Sequence, residues 1–113
     1  MKLWSIGIVA IVGCASYPAP TSKMVSSEAQ IRAAQQMGVA SNPQAALHLQ
    51  LAEEQLTKAK ALMEDNENEE AEYMLMRADA DAELALALAR ETQAKAQAEK
   101  ALDEIRELQQ SNN

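Results

Sequence analysis

NPQAALHLQLAEEQLTKAKALMEDNENEEAEYMLMRADADAELALALAR, residues 42–90, is the stretch that decides the fold. Asn42-Pro43 opens it as an N-cap followed by proline at the first helical position, where the missing N–H has no intrahelical partner to lose. Behind this start Ala45, Leu49, Ala52, Leu56, Ala59 and Met63 recur at alternating spacings of four and three, so they share one helix face. The polar run Glu64-Asp65-Asn66-Glu67-Asn68 then breaks the pattern. Ala71, Leu75, Ala78, Ala82, Ala85 and Ala89 repeat the same spacing, and Asn66 with Glu69 reads as a capping box opening this next helix. Two matched seams joined by a short polar turn specify an antiparallel, coiled-coil-like α-hairpin. Alanine at most contact points draws the two axes toward the close end of the usual range, about 8 Å.

Working outward, a shorter helix is predicted upstream from Ser26 or Ser27, with Glu28 near its positive dipole end. It runs through Ile31, Ala34 and Met37 to Gly38, a natural stop. The expected fold class is therefore all-α: a short helix followed by a long antiparallel hairpin whose third helix overhangs. The second helix measures roughly 33 Å, while the third meets no Gly or Pro before Gln110, roughly 60 Å. Beyond Arg90 the apolar seam changes register to Ala94, Ala98, Ala101, Ile105 and Leu108. Leu102, Ile105 and Leu108 are the predicted partner contacts, to be covered by the first helix, a second copy or another protein. The pairs Glu91–Lys95 and Asp103–Arg106 suit a solvated helix at the same place.

The N-terminus carries the clearest signal of location. Lys2 supplies a positive n-region, Leu3 to Val12 an apolar run too short for a bilayer of about 30 Å, and Ile11-Val12-Gly13-Cys14 a lipobox-like end. The expected organisation is a signal peptide over 1–13, a lipidated Cys14 with a flexible Pro/Ser tether over 14–26, a helical domain over 27–110 and a disordered tail over 111–113. A thiol at Cys14 is the one nucleophile here able to carry a thioether-linked diacylglycerol, and several acyl chains together hold a protein firmly to a membrane. Ala15 in place of an aspartate favours the outer membrane, on its periplasmic face. No cofactor is expected apart from that covalent lipid.

Composition excludes several classes. The chain carries a net charge of −7, and without Lys2 its 17 acidic residues outnumber nine basic ones. That opposes nucleic-acid or anionic-lipid binding, which needs clustered Lys and Arg. Six carboxylates crowd Glu64 to Glu72, yet no Asp-x-Asp-x-Asp-Gly loop turns the backbone inward for calcium, so no metal site is assigned. His48 is the lone histidine and reads as a surface or seam-edge residue, with no companion for zinc or for acid–base work. Met63, Met74 and Met76 read as seam fillers, and Asp79, Asp81 and Glu83 as a solvated face. No catalytic constellation emerges, and the protein is expected not to be an enzyme.

The lipobox Cys14, the Pro/Ser tether, the stretch from Asn42-Pro43 to Leu62 and the stretch Asn68-Glu-Glu-Ala-Glu-Tyr-Met-Leu-Met-Arg-Ala to Ala85 together resemble a known family. It is that of small proteobacterial envelope lipoproteins with an alanine-rich helical domain of unknown function. Some members are fused to, or encoded near, an OmpA-like peptidoglycan-binding domain. The resemblance implies a helical fold and periplasmic placement, with an OmpA-like lipoprotein as one possible partner, and it brings no catalytic residues. Trimeric murein lipoproteins share a lipobox and a long helix, but Gly38 and Pro43 interrupt a rod and no lysine follows Lys100. The function expected is a membrane-anchored structural or adaptor element of the envelope. The alternative is a small helical-repeat-like module binding a peptide, glycan strand or cation, suggested by the overlay of Ala45, Leu49 and Ala52 on Ala71, Leu75 and Ala78.

Overall fold

A computed structural model describes residues 16–112 as three α-helices and one short 3-10 turn. The signal-peptide and Cys14 readings lie outside the described residues. Helix α1 spans Thr21–Gln36, α2 Pro43–Glu64 and α3 Asn68–Ser111. Asn42 caps α2 as its sequence promises: the side-chain Oδ1 accepts from the backbone N–H groups of Gln44 and Ala45 at 3.0 and 3.1 Å. The buried faces of the hairpin are the predicted seams. Ala45, Leu49, Ala52 and Ala59 are buried on α2, and Ala71, Leu75, Ala78, Ala82, Ala85 and Ala89 on α3.

Three local expectations need correction. The sequence predicts a tether over 14–26, but α1 begins at Thr21, with Pro20 as its N-cap residue and the Pro20 carbonyl accepting from Met24 N–H at 3.0 Å. Proline's restricted φ pre-organises a helix start there, so Ser26 and Ser27 are interior to α1 and neither caps it. The Asn66–Glu69 capping box does not form, because Asn66 ends α2 and does not start α3. Its φ of 62° is left-handed, a conformation asparagine tolerates. Asn66 N–H bonds Met63 O at 3.1 Å and Glu67 N–H bonds Leu62 O at 2.8 Å, the two bonds of a Schellman ending. Finally, Ser111 belongs to α3 and not to a disordered tail.

Gly38 closes α1 as predicted, at φ 72°, and Val39 behind it folds into the core. The first helix then settles along the hairpin. Its Ser27, Ile31 and Ala34 are buried. Bonds from Ser27 to Asp79 and from Gln30 to Glu83 show α1 running in the same direction as α3. Those from Lys60 to Glu28 and from Gln35 to Glu53 show it antiparallel to α2. The result is an up-down-up bundle around the first half of α3. Few large side chains fill it: among the described residues Leu75, Leu49, Ile31 and Val39 are the bulky buried apolar groups. Close approach of alanine-lined helices does the rest, through dispersion contacts that are individually small and collectively large.

Candidate functional site

Helix α3 has 44 residues, about 66 Å of rod, against 22 for α2. The bundle ends near Thr92, and everything beyond it among the described residues is exposed. Asn42 marks the edge: its Nδ2 donates to Thr92 Oγ1 at 2.9 Å while Thr92 Oγ1 donates to Leu88 O at 3.0 Å. One side chain thus caps α2 and pins its start to α3. Asn42→Ala is expected to cost about 1 kcal/mol or somewhat more, whereas Asn42→Asp should retain most of it by keeping the capping oxygen; urea melts followed by circular dichroism would measure both.

Leu102, Ile105 and Leu108, the predicted contacts, stand at 53%, 50% and 63% exposure on this overhang. The first helix does not cover them, since α1 stops level with the top of the bundle. The register change at Arg90 is a move from the bundle-facing side of α3 to its outer side. That outer side also carries Tyr73, Met76 and Leu84 within the bundled half, all exposed. Met76 is therefore not a seam filler, although Met63 and Met74 are half-buried as expected.

Two carboxylates assigned to a solvated face are structural. Asp79 Oδ1 accepts from Ser27 Oγ at 2.6 Å, and the same hydroxyl lies 3.4 Å from Leu75 O, which ties α1 to α3. Asp81 accepts from His48 Nδ1 and Gln55 Nε2, both at 2.8 Å, which ties α2 to α3. Because a carboxylate can only accept, Nδ1 is the proton-bearing nitrogen of His48. His48 is half-buried at the seam edge, where the sequence put it. The signal for these roles was position: Asp79 and Asp81 flank the buried pair Ala78 and Ala82, one step toward each neighbouring helix. Glu83 is exposed, as read, with Gln30 reaching it at 3.4 Å.

At the opposite end, Tyr17 and Lys23 both bond the Glu72 carboxylate, and Asn68 Nδ2 donates to Tyr17 O at 2.9 Å. Tyr17, placed in a tether by its neighbours in sequence, clasps the hairpin tip. The Lys23 and Tyr17 hydrogen bonds hold Glu72 below the ordinary carboxylate value, and the Lys60 hydrogen bond does the same for Glu28. A carboxylate depressed in the folded state stabilises the fold above its unfolded pKa and loses that contribution as pH falls through the folded value. Both anchors fasten α1, so α1 is expected to loosen before the hairpin when pH drops below about 4. Hydrogen exchange along α1 and α2 at pH 3 and pH 6 would show that order.

Among the described residues no three His, Cys, Asp or Glu side chains converge as a metal-binding group. The surface depressions are shallow and open. One of them, about 570 Å³ and bordered by Ala29, Ala33, Glu83, Leu86 and Arg90, lies between α1 and α3. No helix of the described residues is long and apolar enough to cross a membrane.

The fold defines a class of small, alanine-rich three-helix proteins with a projecting terminal helix. The chain belongs to the DUF4398 family, a domain of unknown function, whose model matches residues 22–101. The matched region takes in the bundle and the start of the overhang, and Leu102, Ile105 and Leu108 lie just past it. No curated protein and no solved structure matches this chain.

Proposed function

We propose that this protein is a non-enzymatic, membrane-anchored periplasmic lipoprotein that serves as a structural or adaptor element of the cell envelope. Cys14 carries the lipid in this reading, and the outer membrane is the membrane it enters. The overhang of α3 is the working surface, and the observation that carries the reading is its Leu102, Ile105 and Leu108, which no other element among the described residues covers. A lone 19- or 20-residue helical extension in water is marginal by itself, so contact with a neighbour would stabilise it. An OmpA-like lipoprotein is one such neighbour by family resemblance.

With α1 beginning at Thr21, the segment from Cys14 reaches only about 20 to 25 Å. The bundle is thus held close to the membrane, and α3 supplies the reach. Photo-crosslinking residues placed at positions 102, 105 and 108 in cells should yield discrete adducts with an envelope protein or with another copy of this chain. Absence of any adduct at all three positions would overturn the adaptor role.

A further inference from the structure

We infer that the tip of the bundle, where Tyr17 meets Tyr73 and Met76, is a membrane-contact surface that rests on zwitterionic lipid headgroups. The inference rests on the lipoprotein reading above and deepens it by naming the face that the anchored protein turns to the bilayer. Tyr17 does not swing freely on the anchor. Its hydroxyl donates to the Glu72 carboxylate, its carbonyl accepts from Asn68 Nδ2 at 2.9 Å, and Pro20 close behind it is buried. The working tether is therefore the stretch from Cys14 to Tyr17, not the longer one to Thr21. Three residue steps span at most about 10 Å, so a lipid on Cys14 brings the bilayer surface within that distance of Tyr17.

The side chains at that spot suit a headgroup layer. Tyr17, Tyr73 and Met76 are all exposed and border one depression of about 180 Å³, together with Glu69 and Glu72. Tyr73 and Met76 stand close to the start of α3 at Asn68, about 8 and 12 Å along the rod. Tyrosine gathers at membrane interfaces because its ring takes apolar surroundings while its hydroxyl stays with water and headgroups. Without residues 1–13, Tyr17 and Tyr73 are the only aromatic residues of the chain. The fold brings both to one place, although they lie far apart in sequence.

Charge selects the lipid. Glu69 and Glu72 border the depression, Glu67 and Glu70 lie beside it, and Lys23 is already paired with Glu72. Carboxylates repel an anionic surface, whereas they draw the ammonium end of phosphatidylethanolamine, which tyrosine faces also attract. The contact holds the start of α3 at the bilayer. The overhang, at the other end of the same helix, then projects away from it.

The test uses the full chain, purified from membranes with whatever its N-terminus carries. It is reconstituted in phosphatidylethanolamine–phosphatidylcholine vesicles whose acyl chains are brominated near the headgroup. With Trp4 removed, the emission comes from Tyr17 and Tyr73 alone. The normal chain is expected to lose emission relative to unbrominated vesicles. Comparison with Tyr73→Phe, which keeps the Tyr17 clasp, gives the share of each tyrosine, and both should be quenched. Ile105→Tyr added to Tyr73→Phe reports on the overhang by the same comparison, and that tyrosine should keep its emission. Replacing part of the lipid by phosphatidylglycerol should lessen the quenching at low salt, and added salt should restore it. Lipid-bearing chains whose Tyr73 is not quenched, or whose overhang tyrosine is quenched equally, overturn the inference and leave the lipoprotein reading standing. An intact mass that retains residues 1–13 and an unmodified Cys14 removes the lipoprotein reading, and the inference falls with it.

Discussion

Leu75→Ala should lower the unfolding free energy by about 2–5 kcal/mol, the range for deleting a buried leucine and leaving a cavity. Leu75 is the largest fully buried apolar side chain of the described residues, at 0% exposure. Most of the other buried residues are alanines, which have no rotamers with which to fill a gap, and moving a whole helix inward would break the bonds of Asp79 and Asp81. A domain of this size has only about 5–15 kcal/mol in total, so the loss should appear as a fall in melting temperature of about 10 °C or more. Thermal melts by circular dichroism would read it. Leu102→Ala is the matched control. It removes the same atoms from an exposed site and should change the monomer's stability by no more than about 0.5 kcal/mol. Equal losses at the two positions would mean that the core is not where the bundle places it.

Cys14→Ser, under the lipoprotein reading, should abolish both lipid attachment and processing. Intact-mass measurement of the normal protein from membranes should give a chain that begins at Cys14 and carries a diacylglycerol adduct. The variant should retain Met1 to Gly13 and carry no lipid, because serine offers no thiol for the thioether. The effect is all-or-none, and it does not depend on how well the helices pack. A normal protein found with its first 13 residues and an unmodified thiol would remove membrane anchoring by this route. It would leave the three-helix fold and the outer face of α3 untouched.

These two results probe different layers of information. The hairpin could be read directly, since seams at four- and three-residue spacing on both sides of a polar turn admit one simple arrangement. Each of the six predicted α3 seam residues is buried. Turn chemistry was less legible. Asn66 favours a helix start and a left-handed helix end alike, and backbone hydrogen bonds from Glu67 and Asn66 to the preceding turn decided for the end. Asp79, Asp81 and Met76 were misplaced for a related reason. Periodicity gives the direction in which a side chain points, but not which directions a third helix will occupy.

By itself the sequence determined three helices, the face each long helix buries, the caps at Asn42 and Gly38 and the excess length of α3. All of these follow from local backbone preference and the 3.6-residue period. Only the tertiary structure decided that α1 starts at Thr21 and runs alongside α3, that Tyr17 clasps Glu72, and that Asp79 and Asp81 are bonded between helices. It also decided that no other element among the described residues covers the outer side of α3 from Tyr73 to Leu108. Those outcomes depend on where helices come to lie relative to one another, a matter of side chains that meet across long sequence separations, and no local pattern encodes which of two polar faces will be covered.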